Sequence, residues 1–141
     1  MTKKNPIQQI LKAYYNVLNG TIIYNGSIIT VGTKIPRGTN NYIHLSASSD
    51  NYSTGDQTLY KITVTLQIVS RQGINEGDET IINSILDQVL SVVDDPEMIL
   101  MDDFRCLMSN VLDIEKTSID ADEANTIITK SLNMLNFIEQ K

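Results

Sequence analysis

The stretch LYKITVTLQIVS at residues 59–70 has the clearest strand pattern in this chain. Its apolar side chains alternate with polar ones, and a period of two is typical of a strand with one buried and one wet face. Strands of this kind belong to antiparallel sheets that helices cover on one side. The apolar positions of the alternation are Tyr60, Ile62, Val64, Leu66 and Ile68. We therefore expect a long strand whose apolar face lies beneath helices.

Two amphipathic segments flank this strand and predict the helices that cover it. The first, at residues 7–18, has Asn5 as a suitable N-cap and Pro6 at the first helical position. The second runs from Asp78, its expected N-cap, to Asp94. Apolar residues recur at helical spacing in both segments. They are Ile7, Ile10, Leu11, Tyr14 and Leu18 in the first, and Ile82, Ile85, Leu86, Val89 and Val93 in the second.

Shorter signals predict the remaining strands and the loops. Asn25-Gly26 between two β-branched runs predicts a hairpin, because a type I′ turn needs positive φ at both central residues. Residues 42–47 and 104–112 alternate as strands do. The stretches at residues 32–41 and 48–58 are polar, and we expect both to be loops.

The last third of the chain leaves an alternative open. Residues 114–125 have the composition of an acidic connector. Residues 126–139 fit a helix, for which Asp120 and Glu123 would form a capping box, or a closing strand. In the strand, one face would carry Leu132, Met134, Asn136 and Ile138. The strand is favoured, because it would give residues 104–112 a partner.

The order of these elements predicts an α+β fold, with a mainly antiparallel sheet and two amphipathic helices packed on one of its faces. With 141 residues, the chain should form a single domain over 1–141, in which 94–125 is a longer excursion before the final segment. The net charge of -6 argues against a broad phosphate-binding surface. No stretch approaches the ~20 continuous apolar residues of a membrane span, so we expect no membrane partner.

Residues that could carry chemistry are few. One histidine, His44, and one cysteine, Cys106, allow neither a His pair for a metal nor an internal disulfide. We expect His44 on the wet face of the sheet and Cys106 as a buried structural thiol. Carboxylates are dense at residues 113–123, but a calcium loop needs a glycine at its sharp turn, and none follows Gly77. The sequence therefore predicts no catalytic residue, no cofactor and no metal.

Several stretches, taken in order, resemble a known family. A helix, a hairpin and a long loop precede the polar stretch SSDNYSTGD at residues 48–56, which leads into the long strand. The turn GINEG at residues 73–77 then opens the second helix, and paired apolar segments end in FIEQ at residues 137–140. This order resembles the tail-completion and tail-terminator proteins of tailed bacteriophages, which are related to head–tail connector ring proteins.

The resemblance implies a structural virion protein without catalytic activity. Six or twelve copies would form a ring at the head–tail joint or at the end of the tail tube, beside portal, connector or tail proteins. DNA would pass through the ring without sequence-specific binding. The protein would be made in the host cytoplasm and reside in the virion.

The expected contacts between copies are the polar loops at residues 32–41 and 48–58, which are long for a compact domain. Interfaces favour aromatic and arginine anchors in polar surroundings. The candidate interface residues are Ile35, Arg37, Asp50, Tyr52 and Asp56. Two other classes of function stay open: a small adaptor or assembly chaperone that binds a protein partner, and a small enzyme that uses carboxylates.

Overall fold

Two helices cover one face of a six-stranded sheet in the computed structural model, which confirms the α+β prediction. The structure describes residues 4–50, 59–73, 79–121 and 125–141. In chain order the elements are α1 (Ile7–Leu18), β1 (Ile23–Tyr24), β2 (Ser27–Ile28), β3 (Thr30–Gly32), β4 (Asn41–Asp50), β5 (Leu59–Gly73), α2 (Thr80–Val93), a 3-10 helix (Pro96–Met98), β6 (Phe104–Ile114), β7 (Ser118–Ala121) and β8 (Asn125–Gln140). Among the described residues, no helix combines the length and the apolar character needed to cross a membrane.

The antiparallel pair of β5 and β8 forms the centre of the sheet. Its register runs from Leu59 opposite Glu139 to Gly73 opposite Asn125. The strand alternative for residues 126–139 is therefore correct and the helix alternative is wrong. The physical reason is that β5 supplies a hydrogen-bonding ladder along the whole segment, and the buried side chains of β8 fall at every second position.

The remaining strands extend this pair on both sides, in the order β3-β4-β5-β8-β6, with β7 also paired to β8. β6 and β7 lie end to end along one edge of β8, where β7 pairs with the segment from Thr126 to Thr129. The prediction of an acidic connector at residues 114–125 is therefore wrong for Ser118–Ala121. β8 is longer than β6, and its backbone groups beyond β6 take β7 as their partner.

The second predicted polar loop, which follows β4, begins later than predicted. β4 continues to Asp50, whereas we expected a loop to begin at Ser48. The last residues of β4 pair with β5, ending with Asp50 opposite Lys61. The ladder that the long β5 offers outweighs the weak strand propensity of serine and aspartate. Residues 51–58 of the predicted loop lie outside the described residues.

The Asn25-Gly26 turn forms as predicted, with φ angles of 54° and 80°. The hairpin around it is short, since β1 and β2 each have 2 residues. Past Ile28 the chain leaves the hairpin, and β3 pairs in parallel with β4, Thr30 lying opposite Tyr42. The second arm of the predicted hairpin is thus divided, and β3 forms one outer edge of the main sheet.

The core lies between the helices and the apolar face of the sheet. Ile62, Val64 and Leu66 are completely buried, as expected. The predicted apolar residues of α2 are all buried too, whereas its expected cap, Asp78, lies outside the described residues. At the start of α1, the Asn5 side-chain oxygen accepts a hydrogen bond of 3.0 Å from the backbone N–H of Ile7. This bond satisfies one donor of the first helical turn.

Leu66→Ala tests this packing. Leu66 lies opposite Leu45 on β4 and Leu132 on β8, so truncation leaves a cavity at the centre of the sheet. We expect the free energy of unfolding in urea to fall by about 2–5 kcal/mol. Gln67→Ala, on the opposite face, should change it by no more than about 0.5 kcal/mol. An equally small change for Leu66→Ala would contradict the assignment of the buried face.

Candidate subunit interface

A groove lies between α1 and the outer edge strand β3, with a volume of about 680 Å³. Its apolar lining consists of Leu11, Tyr15, Val31 and Pro36. The charged residues that line it in the described part of the chain are two lysines, Lys12 on α1 and Lys34 after β3. We call this surface the α1–β3 groove. It combines an apolar floor with a basic rim, which suits an apolar segment that carries negative charge.

Two of the predicted interface residues lie beside this groove. Ile35 is 67% exposed and Arg37 is exposed, and they flank Pro36, which lines the groove. Ile35 and Arg37 stay candidate contact residues because they adjoin the apolar groove.

The other predicted interface residues do not join Ile35 and Arg37. Asp50 is the last residue of β4 rather than part of a loop. β4 is 10 residues long, which at about 3.4 Å per residue places Asp50 about 30 Å from the strand's first residue. Tyr52 and Asp56 lie outside the described residues. The predicted contact therefore divides into two separate places, of which only the one near Arg37 adjoins the groove.

The opposite end of the sheet exposes large apolar side chains. Apart from a bridge between Leu100 and Arg105, no described strand pairs with the outer edge of β6. We call this surface the β6–β7 edge. Its exposed apolar residues are Leu107 (46% exposed), Val111 (38%), Leu112 (55%), Ile114 (42%) and Ile119 (58%). Apolar side chains gathered along an open sheet edge are typical of a place where another chain docks.

The sequence predicted a strand at residues 104–112, but none of these exposed apolar residues was among the predicted interface residues. The ladder of β6 shifts register at two places, between Cys106 and Met108 and between Val111 and Asp113. The extra residues at these bulges are Leu107 and Leu112. The available signal was the pair of adjacent apolar residues at each place, which interrupts the strict alternation of a strand.

The β6–β7 edge is also acidic. Asp113, Glu115 and Asp120 are exposed along it, together with two exposed cations, Arg105 and Lys116, so the carboxylates are in excess by one. Asp113 accepts a hydrogen bond of 2.6 Å from the side-chain amide of Asn133. The two ends of the sheet therefore carry opposite net charge.

A buried polar network fixes β6 against the helices. The Tyr14 hydroxyl donates to Asn136 Oδ1 at 2.9 Å and lies 3.2 Å from Ser109 Oγ. Ser109 in turn donates to the carbonyl oxygen of Val93 at 2.9 Å. The network thus connects both helices to β6 and β8. Burial raises the pKa of Tyr14 to about 12, despite the opposing effect of its hydrogen bonds to Ser109 and Asn136.

The two residues that could have carried chemistry have ordinary structural surroundings. Cys106 is half-buried, its thiol donates to the Met108 carbonyl oxygen at 3.5 Å, and burial raises its pKa to about 11. The thiol is therefore protonated at neutral pH. His44 lies opposite Gln67 on the open face of the sheet, with Nε2 at 3.1 Å from the Thr33 carbonyl oxygen.

The described residues contain no group of three or more His, Cys, Asp or Glu side chains placed to hold a metal ion. No protein-family model matches the chain, and no curated protein matches it. The resemblance to tail-terminator proteins and the expected absence of catalysis both stay predictions.

Tyr14→Phe tests the buried network. Loss of the hydroxyl removes the 2.9 Å hydrogen bond to Asn136 Oδ1 and leaves it the weaker thiol donor of Cys106 at 3.9 Å, so we expect a loss of about 1–3 kcal/mol in the free energy of unfolding at neutral pH. Tyr15→Phe, on the exposed side of α1, is the matched control and should leave stability within about 0.5 kcal/mol of the wild type.

The same variant tests the raised pKa of Tyr14. Because this pKa is higher in the folded state, its contribution to stability is complete below pH 10 and is lost as the pH rises towards about 12. Urea unfolding across this range should show a smaller alkaline loss in Tyr14→Phe than in the wild type. Equal losses in the two proteins would contradict the buried, neutral tyrosine.

Proposed function

We propose that this chain is a non-catalytic structural subunit of a tailed-bacteriophage virion. Copies would assemble head to tail into a ring at the head–tail joint or at the end of the tail tube. One observation carries the self-assembly: the sheet ends in two dissimilar open surfaces, the α1–β3 groove and the β6–β7 edge. Dissimilar surfaces on one subunit join successive copies through a heterologous contact, which repeats from copy to copy.

The geometry of a sheet favours a curved assembly over a straight stack. Neighbouring strands rotate by about 20–25° relative to each other, so the two end strands of a sheet differ in direction. A contact between opposite ends of successive sheets therefore includes a rotation. Such a contact forms a ring where the rotation closes and a helical filament where it does not. The resemblance to tail-terminator proteins favours the ring.

The open face of the sheet suits a channel through which DNA slides. Its polar side chains include Thr63, Thr65, Gln67, Ser131 and Asn133, and Thr65 donates to Asn133 at 2.7 Å. Charges of both signs occur on it, with Arg105 lying 3.7 Å from Glu139. Tight binding to phosphates needs clustered lysine and arginine. The charges on this face are of both signs rather than clustered and basic, which suits the passage of DNA without sequence-specific binding.

The proposal places the protein in the virion after its synthesis in the host cytoplasm, with portal, connector or tail proteins above and below the ring. The rival reading is an adaptor or assembly chaperone, in which one open edge binds a different protein. The two readings differ in particle size, because an adaptor has no reason to form closed homo-oligomers.

Light scattering after size exclusion, together with electron microscopy of the purified protein, tests the proposal. We expect closed rings with a mass many times 15.8 kDa, and we expect to find the chain by mass spectrometry in purified virions of a phage that encodes it. A protein that stays near 15.8 kDa at every concentration and is missing from the virions would contradict the proposal and favour the adaptor.

A further inference from the structure

The two open ends of the sheet are complementary in their apolar surfaces. The α1–β3 groove exposes apolar atoms of Leu11 and Tyr15 with room for further side chains. The β6–β7 edge presents Leu112 and Ile114, which are 55% and 42% exposed. Contact between these surfaces removes apolar area from water on both sides, which favours association.

Charge complementarity selects which surfaces meet. The groove is lined by Lys12 and Lys34, whereas at the opposite end of the sheet Glu115 and Asp120 line a shallow pocket in which Lys116 is the one cation among the described lining residues. A groove against a second groove would oppose lysines, and an edge against a second edge would oppose carboxylates. Like charges in direct contact destabilise an interface, so the pairing of unlike ends is favoured over either symmetric pairing.

The open backbone edges at the two ends of the sheet also favour a second copy of this chain as the partner. Thr30–Gly32 forms an outer strand beside the groove, and the outer edge of β6 pairs with no described strand beyond the bridge at Arg105. Open edges of this kind accept a strand from another chain. The bulges at Leu107 and Leu112 interrupt the regular spacing of backbone hydrogen-bonding groups along β6. A contact with another copy at this edge therefore depends on side chains more than on a continuous run of backbone hydrogen bonds.

We infer that the β6–β7 edge of each copy docks into the α1–β3 groove of the next copy, with Leu112 and Ile114 on the apolar floor and Glu115 and Asp120 near the lysines. The inference rests on the proposed head-to-tail assembly and names the surfaces that form it. It also places Ile35 and Arg37 beside the contact, where they flank the groove.

A charge-swap experiment tests this contact. The edge variant carries Glu115→Lys and Asp120→Lys, and the groove variant carries Lys12→Glu and Lys34→Glu. All four residues are exposed, so both variants should fold, as circular dichroism will check. Alone, each variant opposes like charges at every contact. We expect native mass spectrometry to show at least about a tenfold loss of rings relative to the wild type.

Mixing the two variants in equal amounts gives the decisive result. The basic edge of one variant then meets the acidic groove of the other, and the remaining native edge meets the native groove. We therefore expect the mixture to restore rings in which the two variants alternate. Arg71→Glu, a matched charge reversal on the open face, should leave assembly unchanged.

Leu112→Ser provides a second measurement that changes no charge. It should weaken assembly by about tenfold, whereas Ile28→Ser, an exposed apolar residue on the separate hairpin, should leave assembly unchanged.

Three outcomes overturn the inference. If the charge variants assemble like the wild type, or if each is disrupted and the mixture is not rescued, the docking contact is wrong while ring formation still stands. A wild type that stays near 15.8 kDa and is missing from purified virions contradicts the proposed function and this contact together.

Discussion

The antiparallel pairing of β5 with β8 determines where the other strands and both helices can pack. These strands have 15 and 16 residues, and their register aligns the apolar face of one with that of the other. Both helices pack over that shared face. Because the pair is long, it offers backbone edges to β4 on one side and to both β6 and β7 on the other.

The same pairing determines where the sheet ends, and with it which surfaces are open to other molecules. The β3 end is short and lies beside the α1–β3 groove, while the other end is bulged, acidic and rich in exposed apolar residues. Natural proteins protect sheet edges with charges and bulges, because an unprotected edge recruits other chains. Here the net charge differs in sign between the two ends. Under the proposed assembly, this difference favours contact between unlike ends of successive copies.

Elements whose apolar residues follow one clear spacing, either every second residue or the helical repeat, were predictable from the sequence. The alternation at residues 59–70 and the helical stripe of α1 each admit one interpretation, and both elements form as expected. Residues 126–139 were ambiguous, because short apolar spacings fit two periods and only the partner strand decides between them. β7 was missed, because residues 114–125 as a whole have an acidic composition, and the strand conformation of Ser118–Ala121 depends on pairing with the backbone of β8.

The candidate interface was predictable only in part, for a related reason. Ile35 and Arg37 stand out in a polar loop, whereas the exposure of Leu112 depends on a bulge in β6 and on the absence of a described strand beyond it. Such features arise from tertiary packing and leave little trace in local sequence.

A cryo-electron-microscopy reconstruction of the assembled wild-type particle, at a resolution that separates strands, would show which surfaces of neighbouring copies meet. We expect the β6–β7 edge of every copy to lie in the α1–β3 groove of its neighbour, with Leu112 out of contact with solvent. A closed particle in which both ends of the sheet face solvent, or in which each end packs against the same end of another copy, would contradict this arrangement.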